Sequence, residues 1–207
     1  TNAYDFGLAL PRTVARRLLP LQVQLLQSEP LSPEQLAAIG WQGREGIYTA
    51  HEVLESWRLT HDQRIVGGSK HVRYGFGGKA LPDVDQGVAR RLEAVMRERF
   101  PQVPDLRVAS HWGGRIGFAL DFLPMVGRTG EQGRILYALA WAGHGIAMAS
   151  YAGRMLTDLA AGRQGPGAAL WSHWTPPLPP EPLRWAVFHA LNGFFEAVDR
   201  RTDRRLG

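Results

Sequence analysis

The chain has no cysteine in its 207 residues. Disulfides and thiolate metal sites are therefore excluded from it. It contains no uninterrupted apolar run of about 18 residues or more, so no segment is expected to span a membrane. A zinc-protease motif is also missing. His51-Glu52-Val53-Leu54-Glu55 begins like one, but Glu55 stands where the second histidine belongs. His51 and Glu55 read instead as a solvated helix face, and no metal is expected. There is no Gly-x-Ser-x-Gly elbow, and Ser, His and Asp are too scattered for a nucleophilic triad. No residue is singled out as catalytic. Internal repeats and a signal-peptide pattern are absent as well, and the expected location is cytoplasmic.

What is present is globular. Hydrophobic residues make up 44% and aromatics 10%, enough for one good core or two small ones. The net charge is +5, and arginines gather at Arg12/Arg16/Arg17, Arg90/Arg91/Arg97/Arg99 and Arg200/Arg201/Arg204/Arg205. Glutamates are interspersed with them, and aromatics do not alternate with them as a base-stacking platform requires. These clusters read as solvated helix faces, and no nucleic-acid partner is expected.

Periodicity and caps outline the elements. Leu21 to Gln27 alternates apolar and polar, a strand pattern. Ser32-Pro33-Glu34-Gln35 is a capping box with proline at the first helical position, and the helix should end near Gly40. Trp57 to Thr60 and Arg64 to Val66 predict a hairpin ended by Gly67-Gly68. Asp85 caps a helix to about Phe100, and strands are expected over Arg107 to Trp112 and Ile116 to Leu120. Residues 162 to 182 read as a Gly/Pro-rich linker. A last helix, from Leu183 to about Asp199, places Leu183, Val187, Leu191, Phe194 and Val198 on one face.

The most informative stretch is residues 134 to 162, RILYALAWAGHGIAMASYAGRMLTDLAAG. Ile135 to Ala140 reads as a buried strand, Trp141 to Gly145 as a glycine turn, and a helix follows with Ile146, Ala149, Gly153 and Leu156 on one face. Such a layout aims free backbone N–H groups at an anion or an electron-rich oxygen. It also serves, as often, merely to close a strand–helix corner.

Five stretches occur in an order that resembles one family: Thr1-Asn2-Ala3-Tyr4, LLPLQVQLLQSEPLSPEQL (18 to 36), WRLTHDQRIVGG (57 to 68), HWGGRIGFALDFLPMVGR (111 to 128) and WAGHGIA (141 to 147). Together they look like the C-terminal half of the FAD-dependent amine and amino acid oxidoreductases, the D-amino acid oxidase superfamily, in its gamma-glutamylputrescine oxidoreductase-like branch. The family's G-x-G-x-x-G fingerprint is absent: Gly143-His144-Gly145 has Met148 in third place. The chain therefore reads as a fragment, or one piece of a split enzyme, whose N-terminal FAD-binding half is its missing partner.

The resemblance implies an α+β fold: a mixed, largely antiparallel substrate-domain sheet with flanking helices, plus the C-terminal strand–turn–helix of an FAD-binding domain, without the N-terminal Rossmann core. The expected organisation is 1–10 as a remnant of the FAD domain, 11–115 as the substrate-binding domain, 116–165 as the C-terminal FAD-binding segment, and 166–207 as linker and final helix. The implied reaction oxidises the C–N bond of a small amine or amino acid by hydride transfer to the flavin, giving an imine that hydrolyses. Ala142, Gly143, His144, Gly145 and Ile146 are the implied flavin contacts, through backbone N–H groups facing N1 and the C2 carbonyl; His144 either bonds the flavin or caps the helix. Gly113 and Gly114 allow a strand to pass close to the ring. Some relatives carry a flavin-linking cysteine where Gly114 stands, so the FAD here is expected to be non-covalent. Arg115 is either an anchor for substrate or cofactor or a surface arginine. Trp57, Tyr48 and Trp112 either line the substrate pocket or belong to the core. Asp121, Pro124 and Gly127 match a structural turn. Sarcosine-type relatives place a lysine where Ala147 stands, and glycine-type relatives an arginine where Gly143 stands; both differences favour an amine, or an amino acid held in another way. The alternative reading is a cofactor-free module of this fold that binds a small molecule or a partner. A fragment of this kind should expose apolar surface where its other half docked.

Overall fold

The structure is a computed structural model describing residues 11–68, 70–171 and 173–206. The Thr1-Asn2-Ala3-Tyr4 stretch and the expected 1–10 remnant lie outside the described residues. The chain divides into two units, one formed by 1–21 with 115–184 and the other by 22–114 with 185–207.

The second unit is built on an antiparallel sheet. Its strands are β1 (Leu19–Ser28, which enters from the first unit), β2 (Ile47–Tyr48), β3 (Ser56–Leu59), β4 (Ile65–Gly68) and β5 (Val108–Phe118, which leaves toward the first unit), in the order β2-β3-β4-β1-β5. The β3–β4 hairpin pairs Trp57 with Gly67 and Leu59 with Ile65. Gly67 and Gly68 continue β4 rather than ending it, and β1 pairs with both. A Cβ on Gly67 would overlap the Trp57 ring, so the glycine makes room for the indole. Likewise β5 runs unbroken through Gly113-Gly114 where two strands were expected.

Two helices follow their sequence signals closely. Helix α2 (Pro33–Ile39) has the full capping box on Ser32 and Gln35 and ends at left-handed Gly40. Helix α3 (Gln86–Arg99) is capped by the Asp85 carboxylate, which accepts from the Val88 N–H. Its Val88, Leu92, Val95 and Met96 pack with Leu26, Trp57, Ile65 and Phe100 into the main core of this unit.

A buried charge cluster corrects the reading of His51 and Glu55. They lie in the bend and loop that lead into β3, not on a helix, and Glu55 is fully buried. Its carboxylate accepts two hydrogen bonds from Arg99 at 2.9 Å and one from Trp57 Nε1 at 3.1 Å, with Lys70 Nζ at 3.0 Å. Burial alone would raise its pKa, but these cations and donors more than offset that and hold it at about 2. Periodicity misses this because a carboxylate is buried here by its partners, not by its place in an apolar pattern. The final helix α6 (Leu183–Leu206) supplies the rest. Asp203 meets His51, Lys70 and Arg99, and buried Asp199 accepts from the backbone N–H of Glu52 at 2.8 Å and of Val53 at 3.3 Å. Of the α6 residues expected on one face, Leu183, Val187, Leu191 and Phe194 are exposed and Val198 is half-buried.

In the first unit, β6 (Met125–Thr129) and β7 (Ile135–Leu139) form an antiparallel pair, covered by α4 (Gly145–Ala160) and the short α5 (Ala168–Trp171). Strand β7 is only partly buried, with Ile135 exposed, unlike the enclosed strand its apolar run predicts. A four-residue α1 (Arg12–Ala15) places Val14 against Leu18, Ala119, Met125, Leu139 and Ala140. The Gly/Pro-rich stretch is no free linker: the Leu178 N–H donates to the Arg16 carbonyl at 2.7 Å, and Thr175 and Leu178 are buried. On α4 the buried residues are Ala152 and Met155, while Ile146, Ala149 and Gly153, expected on the packed face, point outward.

Among the described residues, no helix is long and apolar enough to cross a membrane. No cluster of His, Asp and Glu with metal-binding geometry occurs among them either.

Candidate functional site

Strand β7 delivers the chain into an unusual turn. Ala140 (φ 64°), Ala142 (φ 48°) and Gly143 (φ 87°) all have left-handed backbone conformations. For an alanine this costs on the order of 1–2 kcal/mol, so the surrounding contacts must hold it there. The Ala142 N–H donates to the Gly117 carbonyl at 3.2 Å, and the His144 N–H to the Trp141 carbonyl at 2.9 Å. Gly143 has open space around its Cβ position, so its glycine answers the backbone angle and not crowding.

Helix α4 then begins without a side-chain cap. His144 precedes it, but its Nδ1 lies 3.1 Å from the Ala142 carbonyl oxygen instead of accepting from the helix. The first bond of the helix runs from the Met148 N–H to the His144 carbonyl at 3.1 Å. Gly145, Ile146 and Ala147 thus begin α4 with N–H groups that have no acceptor inside the helix, at the positive end of its dipole.

This turn edges a concave site of about 440 Å³ contained within the first unit. One side is backbone and small residues: Gly117, Ala140, Ala142, Gly143 and Gly145. Leu18, Ile116, Leu139, Trp141 and Ile146 supply apolar surface, and Arg115 stands on β5 at the rim. A Cβ on Gly117 would press on Leu18, so the small residue keeps the wall back. The Trp141 indole N–H is buried and has no hydrogen-bond partner among the described residues. A buried donor without a partner is costly unless something that is bound accepts from it. Apolar walls, a glycine-lined edge and the uncapped start of α4 suit a planar heterocycle carrying carbonyl oxygens.

Residues 1–159 match the family described as FAD dependent oxidoreductase. The chain belongs to that family. Gamma-glutamylputrescine oxidoreductase of Escherichia coli strain K12 is 29% identical over 161 residues, which are 78% of this chain and 35% of that protein. A probable oxidoreductase, OrdL, of Haemophilus influenzae is 26% identical over 168 residues, again 78% of this chain and 35% of the relative. The chain thus spans about a third of the length of these curated relatives. Among solved structures, L-proline dehydrogenase from P. horikoshii superposes with a TM-score of 0.62 at 18% identity, covering 82% of this chain and 43% of that one. Glycine oxidase from Geobacillus kaustophilus gives 0.61 at 15% identity, covering 83% and 42%. These likenesses establish the family's fold in this chain.

Of the residues singled out by sequence, Arg115, Ala142, Gly143, Gly145 and Ile146 come together on the concave site. His144 lies in the turn, with its ring turned to the Ala142 carbonyl, and the N–H groups of Ala142 and His144, expected to face the flavin, donate instead to the Gly117 and Trp141 carbonyls, which close the turn. Gly113, Gly114, Trp57 and Tyr48 belong to the second unit. A Cβ on Gly113 would overlap the Asp83 carbonyl oxygen, whereas Gly114 faces open space. Trp57 is enclosed in the core, stacked edge-on against Phe100, while Tyr48 is largely exposed on β2. Asp121 has the turn role expected of it, accepting from the Leu123 N–H at 3.0 Å, and it also meets His173 at 2.8 Å. Sequence reasoning overlooked Gly117 and Trp141. The strand alternation that places Arg115 and Gly117 on one face would have found the first. No sequence signal marks the unpaired indole.

Proposed function

We propose that the chain is the C-terminal part of an FAD-dependent oxidoreductase that oxidises the C–N bond of a small amine or amino acid. The observation that carries this reading is the strained turn at Ala140–Gly143, which brings the uncapped start of α4, at Gly145 and Ile146, to the edge of a concave, largely apolar site. The residues fit a flavin edge: the uncapped N–H groups of the first turn of α4 would face N1 and the C2 carbonyl, where negative charge accumulates on reduction. When bound, FAD supplies the acceptor for the hydride leaving the carbon beside the nitrogen. The protein's part is to hold that edge in place, to keep water from it with Leu18, Ile116 and Leu139, and to supply fixed positive dipoles.

The cofactor is held without a covalent link, since the chain has no cysteine and Gly114 stands at the linking position. Arg115 would hold an anionic group of the substrate or cofactor. The absence of a lysine at Ala147 and of an arginine at Gly143 favours an amine, or an amino acid whose carboxylate is held elsewhere. The second unit would form the substrate domain. Pyrophosphate and adenosine would be bound by an N-terminal half like the one in the longer relatives. The outward face of α4, where Ile146 is 91% exposed, is the surface on which that half would pack.

The test is a visible absorption spectrum of this chain alone and of the chain co-expressed with the protein encoded by its genomic upstream sequence. Flavin bands near full occupancy in the paired sample only, bleached by an amine, are the expected result. No flavin in either sample would overturn the reading in favour of a cofactor-free binding module.

A further inference from the structure

The first unit holds a second cavity, of about 190 Å³, that shares no residue with the site at the glycine turn. Arg17, just beyond α1, lines it together with Tyr137 on β7 and the strap His173-Trp174-Thr175. The strap is pinned on both sides. His173 Nε2 lies 2.8 Å from Asp121, and the Leu178 N–H donates to the Arg16 carbonyl at 2.7 Å. Thr175, between the two pins, is only 2% exposed. The charges there do not balance. Asp121 is already taken on both oxygens, by His173 and by the Leu123 N–H. Arg17 is half-buried, and its guanidinium has no ion-pair or hydrogen-bond partner among the described residues.

An arginine drawn partly out of water without a counter-charge costs free energy that a bound anion restores. A cation would be repelled by it, and an apolar ligand would leave the guanidinium and the hydroxyls of Tyr137 and Thr175 unserved. The volume falls below the roughly 300 Å³ at which sites for drug-sized ligands begin, which leaves a small molecule. A small oxyanion meets each condition. Its oxygens can accept from the guanidinium fork of Arg17 and from the two hydroxyls. Arg12 and Arg16, exposed at the two ends of α1, add positive potential beside it.

We propose that Arg17, Tyr137 and Thr175 bind a small oxyanion, a phosphate or a short carboxylate, independently of any flavin. The test is isothermal titration calorimetry of the chain with sodium phosphate and with sodium acetate, each against sodium chloride at equal ionic strength. Saturable binding of phosphate, acetate or both in the millimolar range, absent with chloride, is expected, and the anion that binds identifies the source. Arg17→Gln should weaken it by about tenfold or more, the loss of a charged hydrogen-bonding partner, and Thr175→Val severalfold. Arg12→Gln removes the same charge from outside the cavity and should change it by less than about twofold. Circular dichroism checks that each variant folds; if Arg17→Gln does not, Thr175→Val decides alone. No binding of either oxyanion, or equal binding of chloride, would overturn the inference. So would full affinity in Arg17→Gln, or a loss in Arg12→Gln as large as the loss in Arg17→Gln, which would assign the effect to net charge alone.

Discussion

Glu55 in the second unit and Trp141 in the first are both buried polar groups, and they are served in opposite ways. Glu55 has Arg99, Lys70 and Trp57 within hydrogen-bond reach, while the Trp141 indole N–H has no partner among the described residues. The first is a satisfied network of the kind that fixes one packing arrangement. The second sits beside left-handed alanines and the open N–H groups that begin α4, an arrangement that costs free energy unless a ligand completes it. The contrast separates polar groups that hold the fold from polar groups held ready by the fold.

The comparison is tested most severely at Glu55. Glu55→Gln leaves Arg99 and Lys70 without their buried counter-charge and should destabilise the protein by about 3 kcal/mol or more, read as a lower urea midpoint. The same pairing sets a pH dependence. The folded pKa of about 2 lies below the ordinary 4.5, so the stability from Glu55 is fully present above about 4.5 and is lost as pH falls toward 2. The full swing is about 3 kcal/mol. Acid unfolding of the Glu55→Gln variant should show a correspondingly shallower dependence across that window. An unchanged acid profile would mean that the cluster does not stabilise the fold and that the contrast with Trp141 is misdrawn.

A smaller effect separates two neighbouring glycines. A Cβ on Gly113 overlaps the Asp83 carbonyl, so Gly113→Ala should cost about 1–3 kcal/mol. Gly114 faces open space, and Gly114→Ala should leave stability within about 0.5 kcal/mol of the parent. In the flavin-loaded pair, however, Gly114→Ala should lower occupancy, since the methyl group projects where the ring is proposed to lie. Thermal melts of both variants beside flavin spectra check the two halves of this claim. A neutral Gly114→Ala in both assays would remove that strand from the flavin site.

Much of this was legible in the sequence, for a physical reason. The Ser32 capping box, the Asp85 cap and the β3–β4 hairpin depend on a few adjacent residues, and they formed where the sequence placed them. The glycine turn was legible too, because left-handed backbone favours glycine at Gly143. The orientation of faces was not. On α4 and α6, most residues of the stripes that periodicity marks are exposed, although Leu156 and Val198 are partly buried. Periodicity reports that a stripe exists, and only tertiary contacts decide which side of a helix is packed. The burial of His51 and Glu55 escaped for a related reason: their partners Arg99 and Asp203 lie far along the chain.

The subtlest prediction sets fold and function against each other at one residue. Ala147 is exposed in the first turn of α4, where a carboxylate favours the helix dipole. Ala147→Asp should therefore stabilise the chain, by about 0.5 kcal/mol, visible as a slightly higher melting temperature. The same carboxylate would compete for the N–H groups proposed to face the flavin edge and would repel negative charge accumulating there. Flavin occupancy in the paired sample should fall, and the reduced form should lose more than the oxidised form, making the flavin harder to reduce. A corner that merely joins β7 to α4 predicts the stability gain alone. A stability gain together with weaker flavin binding is what a turn held ready for a ligand requires.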